Sequence, residues 1–254
     1  MSEHEVTIEP RVHDAARRHP YRLLFATVSG AHLYGFASPD SDWDLRGVHV
    51  LPIDRVVRLR VDDETVQVDA NDGAFELDLV THDVRKFISL MLKRNGYVLE
   101  QLYSPIVVMT TPQHDELRAL GEGCITSNHA HHYLGFAETQ WSLFRKEAAP
   151  RVKPLLYTYR VLLTGIHLMQ TGRVEANLVT LNEEFRLPQI AELVRQKREG
   201  REKGTLKEAD LAFHEREYHR LREELEQARD RSRLPAEPST REALDDFLVR
   251  VRCG

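Results

Sequence analysis

The chain has 254 residues, 41% hydrophobic and 30% charged, enough for one or two domains with a sizeable core and inconsistent with wholesale disorder. A formal net charge of −5 excludes a global attraction to nucleic acid, so any polyanion must be met by a local basic patch. Two cysteines, Cys124 and Cys253, are too few for a disulfide framework or a cysteine metal site. No stretch reaches the roughly 18 apolar residues of a membrane span and no apolar signal segment opens the chain, so the expected location is a reducing cytoplasm, with no membrane partner.

In chain order, a short helix is expected around residues 12–18, followed by a buried strand over 21–29 (YRLLFATVS). That strand delivers a Ser29-Gly30-Ala31 turn, whose backbone N–H groups suit a phosphate. Residues 43–51 (WDLRGVHVL) read as a second strand, ended by Pro52. Asp42 and Asp44 flank Trp43, so an extended backbone sends both carboxylates to one face and the indole to the other. Two like charges on one face repel unless a cation lies between them, and hard carboxylate oxygens suit Mg²⁺ or Mn²⁺. Residues 55–68 are expected to form an exposed strand or hairpin.

Residues 75–80 (FELDLV) alternate as a half-buried strand, with Glu76 and Asp78 on the same face. Either acid could add a further carboxylate from a neighbouring strand, the two standing one strand repeat of about 6.6 Å apart. Residues 82–102 carry apolar Val84, Phe87, Ile88, Met91 and Leu92 at helical spacing, with a break near Asn95-Gly96. The basic residues Arg85, Lys86, Lys93 and Arg94 read as a solvated surface of that helix. A final strand is expected at 105–109.

Beyond it the chain reads as helical. Helices are expected at 127–145 and 154–170, the second with an apolar stripe of Leu155, Tyr159, Leu162, Ile166 and Met169. Its other face carries Lys153, Tyr157, Arg160 and Thr164, within about 60 degrees of one another. An ammonium, an aromatic ring and a guanidinium there suit phosphate contact and base stacking. The charge-dense stretch 195–233 shows no long apolar stripe and reads as a loop at Gly200 and Gly204, then a solvated helix from about Leu206. Ser239 and Glu242 stand at capping-box spacing at the start of a last helix, 239–251. His129, His131 and His132 lack acid or cysteine partners at the spacing zinc needs.

Taken together, Ser29, Gly30, Tyr34, Gly35, Ser41, Asp42, Asp44, Arg46, Gly47 and Val48 resemble the signature of the polymerase-beta-like nucleotidyltransferase superfamily. They are most similar to its RlaP or YcgL type, linked to RNA repair. Where the superfamily usually has a second serine, this chain has Ala31, leaving backbone amides and Ser29 for the triphosphate. The resemblance implies an α+β fold: a mixed-sheet catalytic core over residues 1–122, then an all-helical domain over 123–254 that completes the nucleotide cleft. It implies transfer of a nucleoside monophosphate from an NTP to an acceptor hydroxyl, with an RNA end as the expected acceptor. Asp42, Asp44 and Asp78 would hold the metal ions, Asp78 being favoured over Glu76 because an acid lies just upstream of Arg85-Lys86-Phe87. Ser29, Gly30, Ala31, Ser41, Arg46, Lys153, Tyr157 and Arg160 would bind the nucleotide. Two other functions fit the same residues: NTP binding without turnover, and RNA binding as a structural partner in a repair complex.

Overall fold

The computed structural model describes residues 6–59, 63–73, 75–147, 151–199 and 208–254. One unit holds the chain up to Leu33 together with Ser41–Cys124 and Pro238–Gly254; a second holds Tyr34–Asp40 and Ile125–Glu237.

In the first unit, Pro10 opens α1 (Pro10–Arg17), where a missing N–H loses no helical bond. β1 (Arg22–Val28) is buried at every position after Arg22, as its apolar run requires. A single turn, α2 (Gly30–Leu33), follows it. β2 (Trp43–Val50) comes next, then α3 (Ile53–Val56), β3 (Thr65–Asn71) and β4 (Glu76–Asp83). Of the exposed strand or hairpin expected over 55–68, the structure has an edge strand that begins at Thr65, preceded by a helical turn, with residues 60–62 outside the described residues.

Asp83 is fully buried and caps α4 (Val84–Leu92) by accepting from the Arg85 N–H at 3.0 Å. Asn95 does the same for α5 (Gly96–Leu102) through the Tyr97 N–H, which explains the break in the helical pattern. β5 (Val107–Met109) and α6 (Pro112–Glu122) complete this stretch. The strands form one five-stranded mixed sheet in the order β3-β4-β2-β1-β5, with β2 and β4 parallel and the other neighbours antiparallel. Val12 and Ala16 of α1 pack with Leu23, Ala26, Leu45, Leu77 and Leu79 of the sheet in one apolar cluster. Gly47 is required in β2 because a Cβ there would strike the Phe25 carbonyl of β1.

The second unit is helical. It contains α7 (His129–Lys146), α8 (Val152–Thr171), α9 (Leu178–Phe185), α10 (Pro188–Arg198) and α11 (Glu208–Arg231). α8 ends at Gly172, whose φ of 72° is the left-handed conformation that a helix stop needs. The loop expected at Gly200 and Gly204 lies outside the described residues.

α12 (Arg241–Cys253) belongs to the first unit rather than to the helical one. Arg252 reaches the buried Asp83 at 2.7 Å and the Leu51 carbonyl at 2.9 Å, and Arg22 donates to the Val251 carbonyl. The capping box expected here does not form. The cap is Thr240, without a side-chain capping bond, and Thr240 Oγ1 instead donates to the Leu120 carbonyl while Ser239 bonds Gly123.

Candidate active site

β1 ends by handing Ser29 into the site, and its N–H donates to the Asp44 carbonyl of the antiparallel neighbour at 2.8 Å. Gly30 follows with φ of 61°, and a Cβ on it would overlap the Asp44 carboxylate. Its glycine therefore serves a close approach as well as a left-handed turn. Ser29 is fully buried, and its Oγ has no hydrogen-bond partner among the described residues. Ala31, also buried, is the second residue of the α2 turn.

β2 starts at Trp43, so Asp42 lies one residue before the strand and Asp44 lies within it. The parallel register pairs Asp44 of β2 with Asp78 of β4. Glu76 stands outside that pairing, exposed at the start of β4 opposite Asn71. Register thus brings together Asp44 and Asp78, the arrangement that sequence spacing left open.

Arg46 joins them. Its NH2 donates to Asp44 Oδ1 at 2.6 Å and to Asp78 Oδ2 at 2.7 Å. Its NH1 donates to the Leu45 and Asp78 carbonyls at 3.1 and 2.6 Å, and Nε donates to the Tyr97 hydroxyl at 3.0 Å. Burial works against this charge, but Tyr97, Asp44 and Asp78 outweigh it and hold the guanidinium above its ordinary value. Asp78 keeps a second oxygen, Oδ1, buried and without a hydrogen-bond partner among the described residues.

His32 and Tyr97 were not singled out by sequence. The His32 ring stacks on Trp43 with centroids 3.9 Å apart and bonds the Ser41 backbone carbonyl. Burial lowers its pKa, opposed by that carbonyl and by the charge of Asp42. His32 follows the glycine turn directly, which was a positional signal; Tyr97 is about fifty residues from Arg46 and had none. Arg85 and Lys86 face β3 instead, bonding Glu64 at 3.0 Å and Thr65 at 2.5 Å.

Lys153, Tyr157 and Arg160 lie in the second unit, on α8. The polar face expected to meet phosphate and base is largely covered: Arg160 and Thr164 are buried, Tyr157 is half-buried and Lys153 alone of the predicted trio is exposed. The Arg160 guanidinium lies 4.0 Å from the Tyr34 ring, and Tyr157 meets Tyr34 and Phe36 edge-on at 5.6 and 5.5 Å. These two residues therefore grip the Tyr34–Asp40 segment. Leu178 N–H donates to the Tyr34 carbonyl, Arg198 to the Gly35 carbonyl and Lys197 to Ser38 Oγ. Asp40 is held below the usual carboxylate range by Ser38 and its own backbone N–H, with help from Lys197 and Lys153. The basic stretch around α8 is partly neutralised, since Arg145 pairs with Glu215 and Arg151 with Glu147.

Among the described residues no group of three or more His, Cys, Asp or Glu side chains is arranged to hold a metal ion, and no helix is long and apolar enough to cross a membrane. The donor chemistry of the aspartates still fits a hard divalent cation. Two carboxylates already converge on a cationic nitrogen, and Asp78 retains an unpartnered oxygen beside it.

The family model for RlaP, the RNA repair pathway DNA polymerase beta family, matches residues 4–250. The chain is 29% identical over 154 residues to the uncharacterized protein MJ0002 of Methanocaldococcus jannaschii, a match covering 61% of this chain and 63% of that protein. This alignment spans less than two thirds of the relative's length. Against the uncharacterized protein YcgL of Bacillus subtilis, identity is 27% over 191 residues, covering 71% of this chain and 72% of that protein. A crystal structure of a nucleotidyltransferase-like protein from Exiguobacterium sibiricum aligns with 95% of this chain and 77% of its own at 13% identity. Its TM-score of 0.32 is too low to bear on the fold. A family match that runs through both units makes the assignment plain: the chain belongs to the RlaP family, the RNA repair pathway DNA polymerase beta family.

Proposed function

We propose that this protein is a metal-dependent nucleotidyltransferase that moves a nucleoside monophosphate from an NTP to an acceptor hydroxyl, with an RNA end as the acceptor. The family's RNA-repair description supports the acceptor. The observation that carries the reaction is the Asp44–Asp78 register, with both carboxylates turned onto one cationic nitrogen.

Asp42, Asp44 and Asp78 would hold Mg²⁺ or Mn²⁺. When bound, such an ion supplies neutralisation of the charge that builds on the α-phosphate and the departing pyrophosphate. Asp78 acts as the base for the attacking hydroxyl, a role its unpartnered Oδ1 supports. Ser29 Oγ is the hydroxyl donor to the triphosphate in place of the one that Ala31 lacks. Lys153, the exposed member of the α8 trio, supplies an ammonium for phosphate, while Tyr157 and Arg160 act indirectly through the Tyr34–Asp40 segment.

The test is label transfer from each α-labelled NTP to short RNAs, with Mg²⁺ or Mn²⁺. Asp44→Asn and the Asp42→Ala Asp44→Ala protein are expected to lose roughly 10²–10³-fold or more in rate while keeping native circular dichroism. Undiminished transfer by a folded double variant would refute the assignment. Ala31 favours a second reading, NTP binding without turnover. That reading would be established by metal-dependent NTP binding with no label transferred to RNA, protein or small hydroxyl acceptors.

A further inference from the structure

Arg46 was expected to contact the nucleotide, yet its geometry directs it elsewhere. An arginine has five N–H donors. Here all five end on protein acceptors of the first unit: the Tyr97 hydroxyl, the Leu45 and Asp78 carbonyls, and the Asp44 and Asp78 carboxylates. The side chain is only 10% exposed. A phosphate contact would require it to give up one of these bonds, and the only bonds made to groups with a competing use are the two from NH2.

We infer that Arg46 is the cation shared by Asp44 and Asp78 before metal arrives, so that metal binding at this site is an exchange of the NH2 contacts for a divalent ion. The inference rests on the nucleotidyltransferase reading of the two aspartates. Its physical basis is charge. The register forces two carboxylates together, and without a positive partner they would repel across a part-buried gap. The guanidinium relieves that repulsion and keeps both side chains aimed at one point. It is also built to yield. Nε on Tyr97 and NH1 on the two carbonyls anchor the group independently of the carboxylates, so NH2 is displaced while Arg46 stays in place. Arg46 is therefore a positioning residue that sets metal affinity by competing for the same oxygens.

The test uses Mn²⁺ as the probe and equilibrium binding, read by the electron spin resonance of free Mn²⁺, with and without NTP. Arg46→Gln keeps a polar side chain but removes the charge. Exchange predicts that it binds Mn²⁺ about tenfold or more tightly than the native protein, that its metal-free form melts at a lower temperature, and that Mn²⁺ raises its melting temperature more. Arg46→Lys, which keeps a positive charge, should lie between the two. In the native protein, the ¹⁵N signals of the Arg46 guanidinium should shift on Mg²⁺ addition while those of Arg252 stay fixed, a readout that needs no variant to fold. Weaker Mn²⁺ binding by a folded Arg46→Gln, with native binding intact, would overturn the exchange and leave the nucleotidyltransferase reading standing. Failure of both proteins to bind Mn²⁺, even with NTP, would overturn both.

Discussion

Gly30 shows how one residue can carry two constraints. Its φ of 61° costs an L side chain, and the Asp44 carboxylate occupies the space a Cβ would need. Gly30→Ala is therefore expected to cost about 1–2 kcal/mol for the left-handed backbone alone. It should lose more in label transfer than in melting temperature, because the methyl group displaces the Asp44 carboxylate, to which the proposed reaction assigns a metal ion. Native transfer rates in Gly30→Ala would show that Asp44 does not need this approach. The identities of Ser29, Gly30, Asp42 and Asp44 were legible because they crowd into one short stretch of chain. The partnership of Arg46 with Tyr97 was not, because it joins residues that no local pattern links.

At the scale of elements, α11 is the clearest case of a pattern present but hidden. The stretch reads as solvated, yet His214, Tyr218, Leu221, Leu225 and Ala228 are buried at alternating spacings of four and three, on a helix that packs against both α7 and α8. A histidine and an alanine dilute the apolar signal, and Arg–Glu pairs such as Arg220 with Glu217 and Glu224 occupy the surface between. Leu225→Ala should cost roughly 2–5 kcal/mol, measured by urea denaturation of the whole chain, and a loss under 1 kcal/mol would mean that the seam carries little of the packing. α12 buries Leu244 and Phe247 and adds a buried charge pair. Arg252 and Asp83 have side-chain exposures of 8% and 0%, and Asp83 also accepts from the Leu51 and Arg85 N–H groups. Arg252→Ala leaves that carboxylate buried without its counter-ion, at an expected cost of about 3–5 kcal/mol. An unchanged denaturation midpoint would show that the backbone donors suffice.

For the molecule as a whole, buried His49 and half-buried His82 contribute to the response to acid. His49 is pushed down to about 4 by burial and then by the charge of His19, and His82 to about 4 by burial and then by Lys86, from an ordinary value of 6.5. The unfolded chain takes up protons below 6.5 that these folded sites refuse, so their contribution is complete above that value and is lost as pH falls toward 4. The melting temperature should drop across that window, and a flat profile from pH 7 to pH 4.5 would contradict the burial of these rings. The sequence by itself determined the α+β class, the strand that delivers the glycine turn, the two aspartates that follow it and the change to helix in the second half. Each of these is written in spacings of a few residues, where backbone periodicity and side-chain chemistry act directly. Tertiary structure alone decided that Asp78 faces Asp44, that Arg46 lies between them, that Tyr157 and Arg160 grip the Tyr34–Asp40 segment, and that α12 joins the unit that holds the sheet. Those outcomes depend on strand register and on charges meeting across long stretches of chain, which only a folded backbone brings together.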